Sequence, residues 1–195
     1  MAIGYQPTAV STDPVAVNPL LDIITNPKTT EGLLKAESQL LTAMLTLQSE
    51  TLNEICEHAK SEFPDECCGA ILSDGVQESV WKCRNIQNEL HQEDPDRYPR
   101  DARTAYVIHP DDLFKITKAS ETQQIKAFYH SHPNHEAYFS EKDKADAMMW
   151  DEPTYPGTTY LVISVYGTEV RAVKAFAWDE TSKDFVAVEV PLVNT

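Results

Sequence analysis

The sequence is short of basic residues, of cysteine and of long apolar runs, and each shortage removes a class of function. Only 16 Lys and Arg stand against 31 Asp and Glu, a formal net charge of −15 over 195 residues. So acidic a surface repels phosphate backbones and anionic lipid, so neither nucleic acid nor a membrane is expected as a partner. No stretch reaches the ~18 consecutive apolar residues that a membrane helix requires. Met1 to Val17 has no basic start followed by an apolar run, so no secretory signal is visible and a cytoplasmic location is expected. The four cysteines, Cys56, Cys67, Cys68 and Cys83, show neither Cys-x-x-Cys spacing nor the density of a disulfide scaffold. Reduced, mostly buried thiols are expected. On a strand, adjacent Cys67 and Cys68 point to opposite faces, which disfavours a bond between them. No internal repeat is present.

The length suits one domain plus an extension, and such a domain buries a core without a structural metal. A metal here is therefore expected to serve chemistry. Residues 1–41 carry Pro7, Pro14, Pro19 and Pro27 and read as an N-terminal arm. Thr30 to Leu41 is expected to form a short helix with Leu33, Leu34, Leu40 and Leu41 on one side. That side suits packing on its own domain or on a second copy, so a homo-oligomer is among the assemblies it allows.

Residues 42–195 are expected to form the globular domain. Met44, Leu45 and Leu47 suggest a first strand, and Ser49 a helix N-cap. Cys67 to Leu72 and Val76 to Cys83 read as a hairpin. Asn85 to Arg103 reads as a long polar loop, and Tyr106 to Ile108 as a short strand. Pro110 to Ala119 reads as a helix with proline in its first turn. Ile125 to Tyr129 is expected to be a strand and Ser140 to Trp150 a helix. Thr158 to Tyr166 and Thr168 to Trp178 form a hairpin over Gly167, and a last strand runs from Phe185 to Val190. Hairpin-linked strands mixed with helices predict an α/β (α+β) class, a mixed β-sheet flanked by helices rather than a doubly wound parallel one.

The chemistry concentrates in Tyr129-His130-Ser131-His132-Pro133 and, with seven residues between it and His132, Ser140-Glu141-Lys142-Asp143. Two residues apart at a strand end, His130 and His132 share a face and can reach one ion. Pro133 turns the chain. Ser140 suits an N-cap, and Asp143 falls one turn later at the same helix end. Two nitrogens and one oxygen leave the fourth position of tetrahedral zinc open, as catalytic sites require. Such a set also accepts iron, manganese or cobalt, though zinc is the usual choice. The spacing arises by chance in roughly one chain of this length in a thousand, so a second element has to support it. Pro64-Asp65-Glu66-Cys67-Cys68-Gly69 supplies one. A Glu at the start of a strand is ordinarily solvated, but beside a metal it can take a proton from water.

Together these elements resemble the JAMM, or MPN-plus, zinc metallopeptidases. The family pattern is an early-strand Glu, then His-x-His-Pro, then Ser-x-x-Asp. Glu66, His130, His132, Ser140 and Asp143 match it position by position, over a resemblance running from about Met44 to Asn194. The Glu-x-Cys-Gly form at Glu66 to Gly69 looks most like prokaryotic members that act on ubiquitin-like sulfur-carrier proteins or their conjugates.

The resemblance implies a cytidine-deaminase-like architecture and one Zn2+ on His130, His132 and Asp143. It implies hydrolysis of a peptide or isopeptide bond after the Gly-Gly tail of a ubiquitin-like or sulfur-carrier partner. Glu66 would be the general base, and Ser140 the donor to the developing oxyanion. The arm and the 85–103 loop depart from the usual domain, and His135 adds an imidazole to the metal loop. His135 reads as a solvent-facing residue, and His58, His91 and His109 as core or surface histidines. Cys68 reads as a buried thiol. The alternatives are a catalytically inactive MPN scaffold and a zinc hydrolase or deaminase of small peptides or molecules. A deaminase would carry His-x-Glu and Pro-Cys-x-x-Cys, which are absent.

Overall fold

The structure is a computed structural model describing residue 32, residues 46–190 and residues 192–193. The chain divides into two units, Met1–Gln39 and Leu40–Thr195. The expected arm, the helix over Thr30 to Leu41 and the start of the first strand at Met44 and Leu45 lie outside the described residues, apart from Gly32.

In chain order the elements are β1 (Leu47–Gln48), α1 (Ser49–Glu62), β2 (Cys68–Ser73), β3 (Glu78–Cys83), α2 (Gln87–Glu93), α3 (Pro110–Ala119), β4 (Gln124–Pro133) and α4 (Glu141–Ala147). There follow β5 (Met148–Met149), β6 (Glu152–Pro153), β7 (Thr159–Tyr166), β8 (Glu169–Asp179), β9 (Asp184–Val188) and β10 (Leu192–Val193). Six strands make one sheet in the order β3-β2-β4-β7-β8-β9. Only the β4–β7 pair within it is parallel, so the sheet is mixed, as expected. No helix among the described residues is long and apolar enough to cross a membrane.

Both faces of the sheet are covered. On one, α1 buries Thr51, Ile55, His58 and Ala59, spaced as a single helical stripe. These meet Cys67, just before β2, and Ile71, Ala127, Tyr129, Leu161 and Ile163 from the strands. On the other, Cys68, Ala70, Phe128, Tyr160 and Val162 meet Ile116 of α3 and Ala147 of α4. The adjacent cysteines thus face opposite layers, and all four are free thiols. Because β2, β4 and β7 are covered on both sides, they are nearly unbroken runs of buried residues, with the polar His130, Ser131 and His132 at the end of β4 among them.

Gly69 on β2 is set by close approach. It pairs with Tyr129 of β4, and a Cβ there would sit 2.5 Å from that tyrosine's Cζ and hydroxyl. The ring therefore lies across the strand, and its hydroxyl reaches Nδ1 of His58 on α1 at 2.9 Å.

Four expectations need correction. Gln48, not Ser49, is the N-cap of α1, because β1 pairing with β10 carries extended backbone through Gln48. The 85–103 segment contains α2, whose one fully buried residue is the polar Gln87, so no apolar period announced it. Tyr106 to Ile108 is not a strand: only an isolated bridge, Asn85 to Ile108, forms there. The helix after Ser140 stops at Ala147 instead of Trp150, because the Thr154 N–H captures the Ala147 carbonyl at 2.9 Å. The chain then folds back through Trp150 and Asp151, both at positive φ, to pair β5 with β6. α3, by contrast, spans the predicted residues.

Candidate metal centre

β4 runs to Pro133, and along it Phe128, His130 and His132 face the α3–α4 layer while Tyr129 and Ser131 face the α1 layer. Both imidazoles are buried. Their Nε2 atoms lie 3.1 Å apart. The His132 Nδ1 lies 3.0 Å from the Glu136 carbonyl, which can only accept, so Nδ1 carries the proton and Nε2 presents a lone pair. His130 stacks on Tyr106, with centroids 4.7 Å apart, and the Tyr138 ring meets His132 edge-on at 4.8 Å. The turn after Pro133 is held by Asn134, at φ 59, whose N–H donates to Val165. Buried Phe139, packed on Phe176 and Phe185, anchors its far end.

Ser140 and Asp143 form a reciprocal capping box at the start of α4. The Ser140 N–H donates to Asp143 Oδ2 at 2.7 Å, and the Asp143 N–H donates to Ser140 Oγ at 3.1 Å. The same Oδ2 stands 3.6 Å from His130 Nε2 and 3.9 Å from His132 Nε2. One donor atom from each of the three buried residues thus falls within 4.8 Å of the others. Burial pushes the Asp143 carboxyl up, but His130 and Ser140 outweigh it and hold it well below the usual range. Burial and then the charge of His130 lower His132 to about 4. An ionised carboxylate beside a neutral imidazole with a free lone pair is the donor state a divalent cation needs. Two nitrogens and one oxygen fit zinc with a coordination position to spare.

Glu66 sits just before β2 and lines the same cleft. Ser131, between the two histidines, pins this segment from the opposite face: its Oγ accepts from the Cys67 N–H at 2.8 Å. The Glu66 N–H donates to Ala102 at 2.7 Å, and its carbonyl accepts from Asn85 Nδ2 at 2.9 Å. Burial raises the Glu66 carboxyl to about 7, against the lowering effect of His130 and Arg100. A carboxyl poised there exchanges protons readily at neutral pH.

Asn85 is a hub that the sequence did not disclose. Its amide also donates to the Ala105 carbonyl, and its Oδ1 accepts from the N–H groups of Gln87 and Val107. The 100–108 segment is thereby held over the site. Tyr106 and Asp143 both border two depressions. One is a mouth containing Glu66, Arg100, Arg103 and Ser140. The other is a groove of largely apolar walls, including Val107, Ile108, Leu113, Phe128 and Tyr155.

The remaining candidates stand apart from the cluster. His58 is buried under α1, His91 Nδ1 meets the Tyr98 carbonyl from α2, and His109 caps α3. His135 is exposed at the mouth, as expected. Burial raises the thiols of Cys67 and Cys83 to about 12 and Cys68 higher still, so none is a nucleophile at neutral pH. Tyr106, Asn85 and Ser131 were missed as contributors. Only the position of Ser131 between the histidines signalled it.

Residues 48–179 match the profile of the prokaryotic homologs of the JAB domain. The desampylase of Haloferax volcanii is 27% identical over 158 residues, 77% of this chain and all of that protein. The tail tip assembly protein K of Escherichia phage N15 is 29% identical over 114 residues, 56% of this chain. The match spans only 41% of the phage protein's length. Among solved structures, that of a Desulfitobacterium hafniense protein shares the fold with a TM-score of 0.57 at 22% identity, over 78% of this chain and 94% of that one.

Proposed function

The chain belongs to the prokaryotic homologs of the JAB domain, and from that premise we propose that it is a zinc metallopeptidase hydrolysing a peptide or isopeptide bond. Its substrate on this reading is a ubiquitin-like or sulfur-carrier protein, cleaved after the Gly-Gly tail. The single observation carrying this is the buried His130, His132 and Asp143 cluster opening onto the cleft that Glu66 lines. The similarity to a desampylase over that protein's full length supports the substrate class. The intact ligand set disfavours an inactive scaffold. A deaminase is disfavoured too, because no cysteine belongs to the cluster among the described residues.

His130, His132 and Asp143 would hold the zinc. When bound, zinc supplies Lewis acidity, which acidifies water and polarises a carbonyl. Glu66 takes one proton from the attacking water as its oxygen bonds to the carbonyl carbon. As the C–N bond breaks, Glu66 delivers that proton to the leaving nitrogen. Ser140 Oγ accepts from the Asp143 N–H and lines the mouth, where its hydroxyl can turn to donate to the carbonyl oxygen as charge develops there.

The backbone over 105–108 suits an extended tail. Val107 turns its N–H to Asn85 Oδ1 and its carbonyl to Ile86. By the alternation of an extended chain, Tyr106 and Ile108 turn theirs the other way, where a tail can add as a strand. Glycines pass Tyr106 where larger side chains would meet its ring.

The test is cleavage of a ubiquitin-like fusion by zinc-loaded protein. Processing after Gly-Gly is expected, sharply reduced when the terminal glycine is valine, with Glu66→Gln slower by about 10²–10⁴-fold. Equal turnover of the valine fusion would refute the tail specificity. Near-normal rates in a zinc-bound Glu66→Gln would place the base elsewhere.

A further inference from the structure

We propose that the cleft selects substrates bearing a carboxylate on the leaving side of the scissile bond, bound by Arg100 and Arg103. The inference rests on the hydrolase reading and adds to it what the departing half of the substrate looks like.

The depressions on either side of Tyr106 and Asp143 differ in chemistry. The groove along Val107, Ile108 and Leu113 is largely apolar. The mouth is not: apart from buried Glu66 and Asp143, its charged lining residues are Arg100, Arg103 and Lys142, with His135 beside them. That is an unusual concentration in a chain of net charge −15. Lys142 is already paired with Asp146. Among the described residues the Arg100 guanidinium donates only to a main-chain carbonyl, that of Thr104, at 2.9 Å. Among the described residues Arg103 has no side-chain partner, and neither arginine forms an ion pair. Arg84 and Lys144 elsewhere are tied to carboxylates.

The two arginines stand on a braced segment. Gln87 Nε2 holds the Arg100 carbonyl at 2.5 Å, Asn88 Oδ1 accepts from the Ala102 N–H, and the Ala102 carbonyl accepts from the Glu66 N–H. Arg100 and Arg103 thus flank the residue hydrogen-bonded to Glu66, and the charge of Arg100 is felt at the Glu66 carboxyl.

The side of the scissile bond follows from where the tail adds. Val107 and Ile108, along which the extended tail runs on the reading above, line the groove and not the mouth. The acyl half therefore lies in the groove and the amine half departs through the mouth. An extended residue spans about 3.4 Å, so a carboxylate on the first or second leaving residue comes within reach of the guanidiniums. Forked donors suit that group. It can be the side chain of Glu or Asp, or the α-carboxylate of a residue released alone.

Fluorescein-labelled peptides ending in Gly-Gly-Glu-Ala-amide or Gly-Gly-Gln-Ala-amide, and in Gly-Gly-Ala as acid or amide, separate these sources. Binding is measured by anisotropy on the zinc-loaded full chain carrying Glu66→Gln, so that the peptides stay intact. At low salt one acidic peptide is expected to bind about tenfold tighter than its neutral twin, an advantage that fades at high salt. Arg100→Ala with Arg103→Ala should bring that ratio to about one, and Arg103→Glu should reverse it in favour of a Lys peptide. Equal binding of acidic and neutral peptides, or a preference surviving the double variant, would overturn the proposal. Wild-type turnover is scored separately. If no peptide is cleaved, the hydrolase reading fails, while the binding ratio still decides the arginine pair.

Discussion

Replacing Gly69 by alanine adds one methyl group where the fold has no room. The new Cβ would lie 2.5 Å from the Tyr129 Cζ and hydroxyl, and closer still to the Trp81 carbonyl. The carbonyl belongs to the β2–β3 ladder and cannot swing aside, so the ring must move or the strands must part. Overpacking of this kind costs about 1–3 kcal/mol. Moving the ring also breaks the Tyr129–His58 hydrogen bond, and a buried partner left unsatisfied costs about 1–3 kcal/mol more. The sum is roughly 2–6 kcal/mol, a large share of the stability of a domain this size. With a urea slope of about 2 kcal/mol per molar, the midpoint should fall by about 2 M with the slope unchanged. Because Tyr129 immediately precedes His130, bound zinc should fall as well. A midpoint shift under about 0.5 M, with zinc retained, would show that the strands accommodate the methyl group and that Gly69 is not required for the ring's approach.

Three further outcomes are expected. His132→Ala should lose stoichiometric zinc by elemental analysis after chelation and reloading, and full occupancy would remove His132 from the ligand set. Ser140→Ala should lower kcat by about 10²-fold with zinc retained, as loss of an oxyanion donor does. A stability loss of about 1 kcal/mol with kcat unchanged would leave Ser140 as a helix cap alone. Burial, aided by the charge of Lys82, lowers His58 from 6.5 to about 4. Between those values the unfolded chain binds a proton that the folded chain refuses, so stability should fall as pH falls through that window. The loss is about 1–2 kcal/mol after allowance for solvent screening. His58→Gln should flatten this part of the urea-midpoint profile, and an unchanged slope would assign it to other groups.

Local chemistry made much of the site readable in advance. His130 and His132 share a face because strand side chains alternate, and Pro133 ends their strand. Ser140 and Asp143 meet because a capping box joins residues three apart. α3 was legible at both ends, with Pro110 in its first turn and an apolar period behind it. Each of these is a relation within one turn or one strand, which composition and spacing encode.

What spacing does not encode is what distant segments do to one another. α2 buries the amide of Gln87, which holds the Arg100 carbonyl thirteen residues on, so no apolar stripe revealed the helix. Asn85 bonds at once to the Glu66 and Ala105 carbonyls and to the Val107 N–H, contacts that exist only after β2 and the 100–108 segment are side by side. The Ser131 hydroxyl reaches Cys67 across 64 residues of chain, and Tyr106 stacks on His130 across 24. The sequence by itself determined the donor set, the helix cap that carries one donor and the strand that carries the other two. Tertiary structure alone decided that Glu66 sits at their cleft, that two arginines stand beside it with no ion pair among the described residues, and that one side of Tyr106 is apolar and the other cationic. The physical reason is that local order follows from backbone periodicity and short-range hydrogen bonds, whereas burial, pKa and the character of a cleft belong to surfaces created only when the sheet is assembled.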